Sequence, residues 1–473
     1  MLLKKFVLTA ALAAAFAGPA FAADTLSDKE LQTAAALRDA ALTGNLSYRI
    51  LESLTTEVGP RMAGSPNDAR AVAWAEAKFR ELGFDKVWKE PVTFPVWRRG
   101  HETAEVVSPY PQPLLVTALG FSVGTPAEGV SADVVRFATL KDLMAAPDGA
   151  VRGKIAFIDH KMQKSSDYGS VQAGRSNGAS EAAKKGAVAL VIRSVGTDSH
   201  RFPHTGMMRY QQDVPKIPAA AVSNPDADLL VRMLERGKPV KLKLRLGALN
   251  EGSYTSYNVI GEMTGSEKPD EYVLIGGHLD SWDLGTGAID DGAGVAITMA
   301  AAEFIKRQGL RPKRSIRVVL YANEEQGLIG GKAYHDAHSK EIHKIQAAAE
   351  ADSGQGPVIK FSSYVQPAAL PVVKQMADVL KPLGVETGGN DAHPGPDMGV
   401  LKNAGAASFG LGLKNDDYFD LHHTPDDTFD KIEPARINQT AAAYAAFAWM
   451  AAQAPVSFGS GQDALRAMKA VSQ

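Results

Sequence analysis

The sequence predicts an α/β protein built on a mostly parallel central sheet flanked by helices and interrupted by a smaller module. Three observations carry that expectation. From Ser256 onward, continuous apolar runs alternate with amphipathic segments, as when strands buried on both faces are joined by returning helices. From about Pro113 to Leu246 the texture changes to short strand-like runs separated by glycine-rich turns. The 473 residues exceed one average domain of about 150 residues, and 45% apolar with 22% charged content is globular rather than disordered.

The elements follow in order. Lys4 and Lys5 precede the apolar run Phe6 to Phe16, and Ala20-Phe21-Ala22 has the small-x-small form of a cleavage site, so residues 1–22 read as an export signal. A membrane anchor is the alternative, but the run falls short of the roughly 20 residues a span needs. No later segment is long and apolar enough, so an exported protein, periplasmic or secreted and without a stable membrane anchor, is expected. Residues 23–114 form the first piece of the main domain. Leu26 to Leu54 reads as one or two helices broken at Gly44-Asn45. Ser65 then caps a helix with Pro66 at its first position, Val72, Ala75, Phe79 and Leu82 on one face, and Gly83 as the stop. Lys86 to Trp97 suits an edge strand, since it alternates and contains prolines.

Residues 115–248 read as the inserted module, with strands at Leu115 to Ala118, Ala132 to Phe137, Lys154 to Ile158 and Ala187 to Ile192, and a helix at Ala179 to Lys185. Its His160, His200 and His204 are irregularly spaced and read as solvated loop residues. Residues 249–455 form the second piece of the main domain, and 456–473 a tail. The expected strands are Tyr272 to Ile275, Ile316 to Tyr321, Ile345 to Ala349 and Ala406 to Leu411. The expected helices are Gly294 to Gln308, Gly330 to His338, Ala368 to Leu380 and Pro434 to Ala452.

Composition narrows the chemistry. Lys+Arg total 51 against 53 Asp+Glu, a net charge of −2, so no basic excess is available to neutralise a phosphate backbone and nucleic acid is not an expected partner. Cysteine is absent, which removes disulfides, thiolate metal sites and cysteine nucleophiles together. Any metal must be held by His, Asp or Glu. In an open parallel sheet, ligands bind beyond the carboxyl ends of the strands, and each expected strand of the second piece leads to such residues. Tyr272 to Ile275 leads to His278, Asp280 and Asp290-Asp291; Ile316 to Tyr321 leads to Glu324-Glu325; Ile345 to Ala349 leads to Asp352; Ala406 to Leu411 leads to His422-His423. Each pair alone has an ordinary reading as a turn, a surface pair or a loop pair. Converging on one rim, they suit zinc in a catalytic site. Two histidines and three carboxylates exceed the needs of one tetrahedral ion, so two metals sharing a carboxylate, with a water or hydroxide between them, is the simplest arrangement, and it points to hydrolysis. Successive side chains at a strand end alternate, so one of Glu324 and Glu325 can bind metal while the other acts as general base. Asp280, two residues beyond His278, is placed to accept the imidazole's other N–H.

The motifs Gly277-His278-Leu279-Asp280-Ser281-Trp282-Asp283, Gly287 to Gly294 containing Asp290-Asp291-Gly292, Asn323-Glu324-Glu325-Gln326-Gly327, Glu350-Ala351-Asp352 and His422-His423-Thr424 resemble the di-zinc exopeptidase family of aminopeptidases and glutamate carboxypeptidases. The stretches His278 to Asp290 and Asp416 to His423 resemble its carboxypeptidase Q branch, and the resemblance spans roughly residues 45 to 452. It implies two Zn2+ per chain bridged by Asp290, one completed by His278 and Asp352 and the other by Glu325 and His423, with Glu324 as general base. It also implies a cis peptide at Asp290-Asp291 and a second-layer role for Asp280. For Tyr418 it implies hydrogen bonding to an oxyanion, with a packed aromatic as the alternative. His393 and Asp397 lie in a Gly/Pro-rich stretch that borders the substrate pocket in relatives, Asp397 facing a substrate's α-amine. The module at 115–248 is similar to the protease-associated insert of those relatives. The implied activity is hydrolysis of dipeptides or short peptides, with an aminopeptidase on longer chains or a non-catalytic binding protein as alternatives, and a homodimer by analogy.

Overall fold

The computed structural model describes residues 24–459, so the expected export signal at 1–22 and the tail beyond Gly459 lie outside the described residues. The main sheet has eight strands in the order Lys86–Arg98, Leu249–Met263, Arg314–Tyr321, Lys268–His278, Ile345–Glu350, Ser408–Leu413, Val358–Tyr364 and Glu386–Thr387. Its four central strands, Arg314–Tyr321 to Ser408–Leu413 in that order, are parallel, as expected. Leu249–Met263 joins antiparallel on one side and Val358–Tyr364 on the other, so the sheet is mixed at its flanks. Lys86–Arg98 is the edge strand its composition predicts, paired among the described residues only with Leu249–Met263. At an edge, Pro91 and Pro95 lack an N–H that a central strand would require.

Strand alternation decides what covers each face. On Lys268–His278 and Arg314–Tyr321, residues Val273, Ile275, Val318 and Leu320 enter the core shared with Ala293–Arg307 and Pro434–Gln453. Tyr272, Leu274, Val319 and Tyr321 enter the opposite core with Tyr334 of Ile329–His338 and Met398 and Leu401 of Pro396–Asn403. The N-terminal helices form as Asp28–Leu42 and Leu46–Glu57, broken at Gly44-Asn45. Ser65 Oγ accepts the Asp68 N–H at 3.3 Å, capping Pro66–Glu81.

A second sheet of eight strands has the order Gln112–Leu114, Glu102–Ser108, Lys241–Leu246, Val130–Phe137, Ile155–Ile158, Ala189–Arg193, Ala219–Val222 and Val116–Ala118. Glu102–Ser108 and Gln112–Leu114, which the sequence division assigns to the main domain, are hydrogen-bonded into this sheet. The helix expected at 179–185 extends over Tyr168–Lys184. Its glycines hide it from a propensity reading, but Gly178 serves close packing: a Cβ there would lie 3.0 Å from both Ile158 and Leu190. Among the described residues no helix is long and apolar enough to cross a membrane.

Candidate metal centre

The centre forms where the parallel strands end. His278 closes the strand Lys268–His278, and the loop beyond it returns Asp290 to the same rim. The Asp290–Asp291 peptide is cis. His278 Nε2 lies 3.2 Å from Asp290 Oδ1 and 3.9 Å from Asp352 Oδ1. On the other side His423 Nε2 lies 3.2 Å from Asp290 Oδ2 and 2.9 Å from Glu325 Oε2. Asp290 therefore faces one half of the cluster with each carboxylate oxygen. The structure brings together all five ligand candidates, and adds His422, whose Nε2 is 3.7 Å from Asp290 Oδ2. Among the described residues, Asp290 with His278 and Asp352, and Asp290 with His422 and His423, are the two groups close enough to share an ion.

Glu324 and Glu325 do not alternate along a strand. The strand ends at Tyr321, Asn323 turns left-handed at φ 55°, and both glutamates reach the cavity from the loop. The expected Asp280 contact also differs. His278 Nδ1 is 3.0 Å from the Asp280 backbone carbonyl and 3.6 Å from its carboxylate, which instead accepts the Glu324 N–H at 3.0 Å.

Three buried residues not singled out in the sequence as supports hold this geometry. Asp291 accepts the N–H groups of His278 and Gly294, both at 3.0 Å. Asp427 accepts those of Ile289 at 2.6 Å and Asp290 at 3.2 Å. Arg61, wholly buried, donates to the carbonyls of Leu279 at 2.6 Å, Thr286 at 2.6 Å and Gly287 at 2.8 Å, spanning the loop between His278 and Asp290. Gly294 permits the close approach of that loop's following helix: a Cβ there would lie 1.7 Å from the Ala351 carbonyl.

Electrostatically the rim carries an excess of buried carboxylates. Burial and the neighbouring acids push Asp352 up to about 7 despite His278. Burial, reinforced by Asp352 and Glu325, pushes Glu324 well above the carboxylate range. Asp290 is held well below it because hydrogen bonds from His278 and His423 outweigh burial. Burial alone would lower His423, yet Glu325 and Asp290 push it up to about 10, whereas burial and the His423 charge hold His422 well below its ordinary value. Carboxylate and imidazole donors facing one another in this excess fit divalent cations, and without thiolates the donor set matches catalytic rather than structural zinc.

A cavity of about 560 Å³ opens over the centre, lined by Glu324, Glu325, Asp352 and Tyr418 from the main domain and by Arg175 and Arg209 from the second sheet's unit. A neighbouring cavity of about 420 Å³ shares Asp352 and contains His393. Tyr418 stands with its ring 4.9 Å from that of His422. Asp397 departs from expectation. It lies in the first turn of the helix Pro396–Asn403 rather than a loop, is wholly buried, gives one oxygen to the Gly331 N–H at 2.9 Å, and borders neither cavity. Burial pushes its carboxyl up to about 8. His204 also departs from its solvated reading, being 1% exposed and hydrogen-bonded at both ring nitrogens.

The sequence pattern of peptidase family M28 matches residues 258–448. Carboxypeptidase Q of Xenopus laevis is 38% identical to the chain over 408 residues, covering 86% of each. Carboxypeptidase Q of Homo sapiens is 37% identical over 86% of this chain and 85% of its own. The chain belongs to peptidase family M28. Among solved structures, a peptidase M28 precursor from Shewanella amazonensis SB2B is 53% identical with a TM-score of 0.90, over 92% of this chain and 99% of that one. An aminopeptidase from Aneurinibacillus sp. strain AM-1, 23% identical with a TM-score of 0.62 over 90% and 98% of the two chains, shares the fold. The M28 match at 258–448 contains His278, Asp290, Glu324, Glu325, Asp352 and His423.

Proposed function

We propose that this M28 chain is an exported di-zinc metallo-exopeptidase that hydrolyses dipeptides or short peptides with free ends. The observation that carries the reading is Asp290, set between a His278–Asp352 pair and a His423–Glu325 pair with Glu324 beside them on the cavity wall. His278 and Asp352 would hold one zinc, His423 and Glu325 the other, and Asp290 both. Bound zinc supplies Lewis acidity, acidifying water and polarising a carbonyl. Glu324 takes the proton from the attacking water and returns it to the leaving amine, from its place on the cavity wall beside Glu325 and Asp352. Tyr418, on the same wall, donates to the oxygen on which negative charge develops. Export rests on the Lys4-Lys5 and Phe6-to-Phe16 signature.

Glu324→Gln is the test. It keeps the shape and removes the base, so turnover should fall at least 1,000-fold, by about 4 kcal/mol of barrier, while two zincs per chain are retained in elemental analysis. Near-normal activity would refute the assignment. Product analysis on free and N-acetylated dipeptides separates dipeptidase from longer-chain aminopeptidase action.

A further inference from the structure

The two histidines of the centre are steadied differently. His278 turns its Nδ1 to the carbonyl of Asp280 in its own loop, at 3.0 Å. His423 turns its Nδ1 to the carbonyl of Thr205, 218 residues away in the unit of the second sheet, at 3.3 Å. The Thr205 N–H in turn donates to the His423 carbonyl at 3.0 Å, so one residue of that unit grips His423 twice. A carbonyl only accepts. Facing Nδ1, it selects the tautomer with the proton there and leaves the Nε2 lone pair toward Asp290 and Glu325, as metal ligation requires.

The Thr205 carbonyl is itself braced. Thr205 Oγ1 donates to the Ala118 carbonyl at 3.0 Å and accepts from the Arg99 guanidinium at 3.0 Å. Arg99 also chelates the Asp283 carboxylate, in the loop between His278 and Asp290, at 2.9–3.0 Å. Next in sequence, His204 places Nδ1 2.9 Å from the His422 carbonyl and Nε2 2.5 Å from Asp198 Oδ2, with both side chains buried. Trp282, from the same loop as Asp283, packs so tightly on Gly120 that a Cβ there would lie 2.2 Å from its indole, and its ring also lies 5.9 Å from that of His423. The second unit therefore meets the metal loop and the His422-His423 segment at once.

We infer that the second unit is a working part of the metal centre, its Thr205 carbonyl orienting His423 for zinc, with Arg99, His204 and Asp198 as the positioning residues that hold that carbonyl in place. The inference rests on the di-zinc reading above and adds that the two zinc sites depend unequally on this unit. Thr205→Val removes the Oγ1 bonds to Arg99 and Ala118 while keeping the side chain's shape, His204→Ala removes the adjacent brace, and Thr205→Ser keeps the hydroxyl.

The test is titration of metal-free protein with zinc alone against a competing chelator, together with the melting temperature of the metal-free protein. Wild type is expected to bind two zincs. In Thr205→Val and His204→Ala one zinc should bind about 10–100-fold more weakly, the range for lost support of a metal-bound imidazole, with the other zinc unchanged and Thr205→Ser close to wild type. Wild-type affinity at both sites in both variants would overturn the inference, as would equal weakening of both sites tracking a lower metal-free melting temperature. Wild-type protein that binds no zinc would overturn the di-zinc reading itself, and this inference with it.

Discussion

Replacing Arg61 with methionine should loosen the loop that carries the centre without touching a metal ligand. Methionine keeps the unbranched apolar stem of the arginine but ends before the guanidinium and has no donors, so the carbonyls of Leu279, Thr286 and Gly287 lose partners now at 2.6, 2.6 and 2.8 Å. Hydrogen bonds from a charged group contribute about 1.5–3 kcal/mol each, a gross loss of about 4.5–9 kcal/mol for three. Part is returned, because a wholly buried guanidinium is costly to desolvate. A net loss of about 3–5 kcal/mol is expected, and it should be concentrated in the loop from Leu279 to Gly287. Urea unfolding of metal-free Arg61→Met and wild type measures it, and zinc titration of the same samples should show weaker binding as His278 and Asp290 lose their fixed separation. A stability change under about 1 kcal/mol with unchanged zinc affinity would refute the reasoning.

Asp68 gives a pH prediction. Burial pushes it up to about 6 from an ordinary value of 3.8, so the folded state holds a proton that the unfolded state releases, and stability falls as pH rises from about 4 through about 6. The shift corresponds to about 3 kcal/mol. Asp68→Asn, which keeps an acceptor for the Gly64 N–H now at 2.7 Å, should flatten that segment of a stability-versus-pH curve measured by urea unfolding at pH 4.5 and 7. Asp427→Asn replaces one of two acceptor oxygens with a donor facing the Ile289 and Asp290 N–H groups; zinc affinity in chelator competition should fall about 10–100-fold. Metal removal should abolish peptide hydrolysis and lower the melting temperature, since ligand at 100 times its dissociation constant contributes about 2.7 kcal/mol; calorimetry with and without chelator reads this directly.

The parts of the fold legible in sequence are those where side-chain pattern and burial coincide. The four central strands are apolar on both faces because both faces are covered, and their runs stand out for that reason. Leu249–Met263 has no such run over its first half, which pairs with the edge strand Lys86–Arg98 at the exposed border and carries the polar and small residues Asn250, Glu251, Gly252 and Ser253. Glu102–Ser108 has only Ala104 and Val106 buried, and its assignment to the second sheet comes from pairing with Lys241–Leu246 more than a hundred residues later.

The same distinction runs through the centre. His278, Asp290, Glu325, Asp352 and His423 are legible as candidates because each is a donor type at the end of a strand or on the connection that follows it, and the topology of a parallel sheet gathers such positions on one rim. Arg61 and Asp427 were not, because what they bind is backbone: carbonyls and N–H groups occur at every residue and leave no trace in the pattern of side chains. The burial of His204 is hidden from the sequence for a related reason. Its spacing within its own segment has no regularity, and its environment is created by a contact 218 residues away, at the junction of two units. Asp397 shows the converse case, a chemically suitable acid next in sequence to the cavity-lining Pro396, whose own side chain binds the Gly331 N–H and lines neither cavity. Donor identity is written locally, whereas the groups that orient donors are chosen by tertiary proximity. Around this centre the neighbours of the donors include the Thr205 carbonyl, 3.3 Å from His423 Nδ1, so donors confined in sequence to the segment matching the family pattern are met in space by a residue outside it.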